Sequence, residues 1–438
     1  MAAMADSVQR RLAAMRRSQR WLFWLCVIFL VVGCSSATVS LMPTPVVYTE
    51  LGIGPLDAVP PGKRWAPRMV YYATTRERNP GWQRIEYGNR EGDTVRLGVA
   101  LIGFGTEDLK WEELRELSSV ADRADSNIPL SIAGIVETGR WQIGTEPGAG
   151  ALNVPLDMLN DSIEKANDKQ LLIYVHGAKV DFYSATAFAA EMDHFMRRDM
   201  TAMAFAWPTH QNILAYGAGI DLARGYRSAE SLADLLELLA LHSNAAKIHI
   251  VSWSAGGRVV TRALTSLSER HPELSSSDLA SRLRIGTVYY AASDIPRDEF
   301  IGQLDTLDRM ADRIIVTVTD NDGALKSARR FMGGGYRLGD RRGNLSTGQL
   351  EQLMQAESLE VIDVSMGARE RGFDISGHLY WLDHPWASND MLLAIRSDLP
   401  PRERGLVQSD LPFLWFMPAD YPQRLRRSML RLDLTIRE

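Results

Sequence analysis

Short apolar runs alternate along the chain with longer stretches in which apolar positions recur every third or fourth residue. The runs are RMVYYATT (68–75), VRLGVALIGF (95–104), QLLIYVHG (170–177), MTAMAFAWP (200–208), AKIHIVSW (246–253), RIGTVYYAA (284–292), RIIVTVT (313–319) and LEVIDVS (359–365). Near-continuous apolar character over so few residues predicts strands buried on both faces. Helices are predicted over 183–197, 222–242, 257–269, 345–356 and 386–397. In the second of these, Leu222, Tyr226, Ala229, Leu232, Leu235, Leu236 and Leu239 repeat at helical spacing. Buried strands alternating with helices predict an α/β fold, a mostly parallel central sheet with helices on both faces. Residues 105–169 fit the alternation less well. They hold a short helical pattern at Trp111, Leu114 and Leu117 and then Gly144, Gly148 and Gly150, and they read as an insertion between the second and third strands.

The N-terminal residues follow a different pattern. Residues 1–20 carry Arg10, Arg11, Arg16, Arg17 and Arg20 against Asp6, and WLFWLCVIFLVV (21–32) follows. That is the layout of a secretory signal. Val31-Val32-Gly33-Cys34 then resembles a bacterial lipobox, which implies diacylation of Cys34 as the mature N-terminus; Ser35 in place of Asp leans toward the outer membrane. The competing reading is an uncleaved anchor, since Trp21 to Met42 is free of charge and just long enough to span a bilayer. Residues 1–33 are thus expected as a signal sequence or signal anchor. Residues 34–66, with Pro43, Pro45, Pro55, Pro60 and Pro61, are expected as a Pro-rich tether, and 67–438 as the domain. Either reading puts the body of the protein outside the cytoplasm, held at the membrane of the cell envelope.

Composition narrows the function classes. With 438 residues, 45% hydrophobic and 24% charged, the chain can bury a large core, which excludes disordered and disulfide-scaffold classes. Lys and Arg number 49 against 54 Asp and Glu, so no broad basic footprint for nucleic acid exists. Cys26 and Cys34 are the two cysteines, and neither lies in the body.

The strand AKIHIVSW runs into Ser252-Trp253-Ser254-Ala255-Gly256-Gly257 and then into the helical RVVTRALTSL. Strand, sharp turn and helix around a serine flanked two residues away by small side chains form the context of a nucleophile elbow, with Ser254 as nucleophile. A serine hydroxyl needs a base, and the base needs a carboxylate to orient it. In this fold they follow in the order acid, then histidine. His378 in Ser376-Gly377-His378 follows the last strand and is preferred over His384, expected to cap or pack, and over His271, which ends a helix. Asp322, in the turn after RIIVTVT, is the first candidate acid; Asp294, after the preceding strand, is the alternative, and Asp320 is expected either to serve in the same way or to cap the turn. The oxyanion hole is expected from the N–H of Ala255 and, after His176-Gly177, of Ala178. No metal-ligand spacing such as His-Glu-x-x-His is present, so no metal and no cofactor are expected.

These residues belong to a wider set. YYATTRER (71–78), LIYVHG (172–177), FAWP (205–208), the elbow at 252–256, AASDIPRDEF (291–300), TDNDGALKSARR (319–330), SGHLYW (376–381) and WFMPADYP (415–422) stand in this order. The chain therefore resembles the bacterial alpha/beta hydrolases of unknown function grouped as DUF900, many of them lipoprotein-like. The resemblance implies the alpha/beta-hydrolase fold and a triad of Ser254, Asp322 and His378, with Asp294 as a family-typical residue. Two departures stand out. The family's His-Gly-Phe-Asn is here His176-Gly177-Ala178-Lys179, and its Ala-His-Ser-Met-Gly is Ser252-Trp253-Ser254-Ala255-Gly256. The expected function is a membrane-tethered serine hydrolase, an esterase or lipase-like enzyme acting on a small-molecule or lipid acyl substrate. The rival is a catalytically silent envelope binding or scaffold lipoprotein that keeps the fold.

Overall fold

The computed structural model describes residues 38–432 except 65–66, 82–83, 124–125, 146–148, 334 and 366–376. The expected signal or anchor (1–33) and Cys34 lie outside the described residues. The strands are β1 (Arg68–Arg78), β2 (Tyr87–Phe104), β3 (Leu130–Gln142), β4 (Leu171–Val175), β5 (Thr201–Ala206), β6 (Ile248–Trp253), β7 (Ile285–Ala291), β8 (Ala311–Val318), β9 (Leu359–Asp363), β10 (Val407–Gln408) and β11 (Leu414–Phe416). The first helices are α1 (Val46–Leu51), α2 (Trp111–Leu117), α3 (Ala149–Lys165), α4 (Phe182–Phe195), α5 (Ile213–Gly217), α6 (Ile220–His242) and α7 (Gly256–Arg270). There follow α8 (Ser276–Leu283), α9 (Arg297–Asp308), α10 (Gly323–Met332), α11 (Thr347–Gln355), α12 (Tyr380–Asp383), α13 (Pro385–Arg396) and α14 (Tyr421–Arg431).

The strands form one sheet in the order β10-β11-β9-β8-β7-β6-β4-β5-β1-β2-β3. Pairing is parallel from β1 through β11 and antiparallel only at the margins, β1 with β2, β2 with β3 and β10 with β11. Every strand read from the sequence is present. The central ones are apolar throughout because each face packs a core of its own: Leu171, Ile173 and Val175 join one cluster, Leu172 and Tyr174 the other.

Residues 105–169 are less of an excursion than expected. Their β3 pairs with β2 from Thr94–Gln142 to Phe104–Leu130 and so completes the edge of the same sheet. As an edge strand half open to solvent, it has no continuous apolar run to betray it.

The Pro-rich segment also departs from expectation. Val39, Leu41, Met42, Val46, Val47, Tyr48, Leu56 and Val59 are buried, and the compact unit begins at Val39. The backbone of Val39 and Leu41 bonds to Leu130 and Ile128, the Val47 N–H donates to Asn389 Oδ1 at 2.9 Å, and the Tyr48 hydroxyl donates to the Phe195 carbonyl. Proline was a poor guide because Pro45 stands directly before α1, where its fixed φ suits the start of a helix.

Chain direction along the sheet reverses at β4. The chain leaves β4 for β5 on one side and returns to β6 on the other, so the C-terminal ends of β4 and β6 meet at a topological switch point, the place where open α/β sheets bind their ligands. No described helix is long and apolar enough to cross a membrane.

Candidate active site

β6 delivers Trp253 and then Ser254 to that switch point. Ser254 has φ 52°, a left-handed conformation that costs a non-glycine residue about 1–3 kcal/mol. Its surroundings hold it there. The Ser254 N–H donates to the Ala291 carbonyl at 3.0 Å, and the Ser254 carbonyl accepts from Gly257 at 3.1 Å and Asp294 at 3.2 Å. Glycine at 256 is obligatory, because a Cβ there would lie 2.3 Å from the Val175 carbonyl oxygen. Ser252 fills the other small position; it is fully buried, and its hydroxyl donates to the Tyr289 carbonyl at 3.2 Å.

His378 arrives from beyond β9, and its Nδ1 lies 2.6 Å from Asp322 Oδ2. Asp322 is itself 1% exposed and fixed as the N-cap of α10, its Oδ1 accepting from the Leu325 N–H at 2.9 Å. Both carboxylate oxygens are therefore committed, one to a helix and one to the imidazole. A hydrogen on Nδ1 in this pair leaves Nε2 as the basic nitrogen. Gly377 (φ 62°) allows the approach, since a Cβ there would stand 2.9 Å from the Asn321 carbonyl oxygen.

Asp294 is held elsewhere. Its carboxylate lies 2.9 Å from Arg337 Nε and 3.6 Å from an Arg258 guanidinium nitrogen, and it accepts from the Tyr216 hydroxyl. The Arg337 N–H is not aimed at the oxygen, so that contact is an ion pair without a hydrogen bond. Asp320 donates its N–H to Ser365 Oγ at 3.2 Å. His384 caps α13, accepting from the Trp386 N–H, and His271 ends α7 with Nε2 2.8 Å from Glu237.

The loop after β4 meets the elbow face to face: a Cβ on Gly177 would be 3.0 Å from Ser254 Cβ. Among the described residues neither the Ala178 nor the Ala255 N–H has an acceptor within the protein. Two groups that sequence reading passed over hold this loop. Arg76 at the end of β1 donates to the Val180 carbonyl at 2.7 Å, the Ala206 carbonyl at 3.3 Å and Asn89 Oδ1 at 2.8 Å. Trp207 stacks on His176, ring centroids 5.4 Å apart, and donates Nε1–H to the His176 carbonyl at 2.7 Å. Burial, reinforced by Arg76, pushes the His176 imidazole down to about 3, so it stays neutral. Its Nδ1 sits 2.7 Å from the Gly177 carbonyl, closing the turn. The one signal for Arg76 in the sequence is an arginine inside the YYATTRER motif. No group of three or more His, Cys, Asp or Glu side chains among the described residues is arranged to hold a metal ion.

The model of a family described as alpha/beta hydrolase of unknown function (DUF900) matches residues 156–396. Among solved structures, an uncharacterized protein from Bacillus cereus is 13% identical, with 43% of this chain and 60% of that chain covered and a TM-score of 0.24. A lipase-esterase related protein from Clostridium acetobutylicum is 11% identical, with 45% and 76% covered and a TM-score of 0.19. The chain thus spans 60% of the length of the Bacillus protein. No curated protein matches the sequence.

Proposed function

The chain belongs to the family of alpha/beta hydrolases of unknown function (DUF900), and on that premise we propose that it is a serine hydrolase cleaving a carboxylic ester or related acyl bond. Ser254 Oγ attacks the carbonyl carbon while its proton passes to His378 Nε2. The N–H groups of Ala178 and Ala255 receive the charge on the carbonyl oxygen. His378 returns the proton to the leaving alkoxide, and an acyl group remains on Ser254. Water then repeats the attack with His378 as base, releasing the acid and restoring the serine. Asp322 holds the imidazole in the reactive tautomer and stabilises the imidazolium.

The observation that carries this reading is the 2.6 Å pairing of His378 Nδ1 with Asp322 Oδ2, with the His378 carbonyl bonded to Trp253, the chain neighbour of the strained Ser254. A fluorophosphonate probe tests it: the wild type should label and Ser254→Ala should not. A folded wild type that does not label overturns the proposal. The same reading keeps the protein at the cell envelope through a lipid on Cys34. The leader sequence supports that attachment, and palmitate labelling lost in Cys34→Ser tests it.

A further inference from the structure

The base-bearing loop and the nucleophile elbow come from distant parts of the chain, yet one side chain joins them directly. Trp253 is the residue before Ser254 and the last of β6, where it pairs with Ala291 of β7. Its backbone is therefore fixed by the sheet. Its Nε1–H donates to the carbonyl of His378 at 3.2 Å, and its ring lies 5.5 Å from the imidazole, centroid to centroid, at 42°. The indole is itself wedged between Phe188, met edge-on at 6.3 Å, and Trp381 at 6.1 Å. Trp381 follows His378 by three residues and stacks on Tyr174 of β4, so the indole and the base loop lean on a common aromatic floor. Asp322 fixes the side chain of His378; Trp253 fixes its backbone.

We propose that Trp253 is a positioning residue that sets the His378 loop over the elbow, so that the adjacent residues 253 and 254 place the base and the nucleophile respectively. The inference rests on the serine hydrolase reading for its catalytic consequence but not for its structural one. A rigid, sheet-anchored indole reduces the freedom of a loop that must keep Nε2 within hydrogen-bond reach of Ser254 Oγ. Misplacement of a reacting group by about 1 Å costs on the order of 100-fold in rate.

Two variants and two readouts test it. Trp253→Phe keeps an aromatic ring and loses the N–H donor, and Trp253→Leu loses both. Amide hydrogen exchange over 377–380 should quicken in both variants, more in the leucine variant, while α7 and β6 keep wild-type protection. With a small ester, kcat should fall about 3–10-fold for phenylalanine and 10–100-fold for leucine, with KM within about 2-fold. Unchanged exchange at 377–380 overturns the positioning role outright. A rise in KM at constant kcat would make Trp253 a substrate contact and not a positioner. If the variants show the exchange difference but the wild type does not label with fluorophosphonate, the hydrolase reading and the catalytic consequence are defeated and only the structural tie is left.

Discussion

Asp322 faces His378 with one carboxylate oxygen and caps α10 with the other. Asparagine at 322 would keep the cap acceptor but present an amide to Nδ1, favouring the tautomer that leaves Nε2 protonated. We expect Asp322→Asn to fold normally and lose about 10³–10⁴-fold in kcat, measured with a chromogenic ester alongside the melting temperature.

Asp294 should respond in the opposite sense. Its carboxylate balances Arg337, 1% exposed, and Arg258. Asp294→Asn leaves that buried charge uncompensated, at about 3–5 kcal/mol of stability. Chemical denaturation should therefore register the change strongly, while turnover per folded molecule falls far less than in Asp322→Asn. Equal loss of turnover in both would contradict the division of roles.

Gly256→Ala tests the elbow without touching a reactive group. The added Cβ meets backbone oxygens at 2.3 and 2.6 Å, from Val175 and His176, and neither can rotate away. Strand and helix must part, so the variant should be insoluble or lose fluorophosphonate labelling. A stable, fully labelled Gly256→Ala protein would show the turn to be looser than drawn.

Stability should depend on pH through Glu191. It is fully buried, its Oε2 accepts the Met42 N–H at 2.6 Å, and its Oε1 has no partner among the described residues. Burial raises its pKa well above the usual 4.5, with Asp383 adding to the rise. A carboxyl whose folded pKa is raised favours the folded state below its unfolded pKa and loses that contribution as pH climbs toward the folded pKa. Glu191→Gln carries no such charge. Its melting temperature should match the wild type near pH 4 and exceed it increasingly above pH 5.

Residues 39–51 should be indispensable to the fold. A chain starting at residue 67 loses the Val47–Asn389 and Tyr48–Phe195 bonds and uncovers α13 and α4. It should aggregate on expression, whereas a chain starting at residue 38 should melt cooperatively.

What the sequence revealed follows from the range of the forces involved. Leu171–Val175 announced a strand because both of its faces are dry, and Ser252–Gly257 announced an elbow because backbone crowding acts over a few residues. Asp322 stood out by its place after a strand, although its neighbour Asp320 had the same local claim; only the approach of His378 from 56 residues away separates them. Arg76 was invisible as an organiser because its acceptors come from residues 89, 180 and 206. The docked segment at 39–59 did leave a signal in Leu41, Met42, Val46, Val47 and Tyr48, but the prolines among them pointed to a linker. The strand β3 carries no continuous apolar run because an edge has only half a hydrophobic face to show.

The pairing of Val39 with Leu130 also fixes where the chain comes in. Leu130 opposes Phe104, and the far end of β2 lies beside the start of β1, so Val39 joins the margin where the parallel strands begin. Ser254, Asp322 and Ala178 all sit where those strands end. Val39 and the candidate site thus stand at opposite margins of the one sheet, so a substitution that loosens the Val39–Leu130 pairing acts on the backs of the strands and not on the turns at residues 178, 254 and 322.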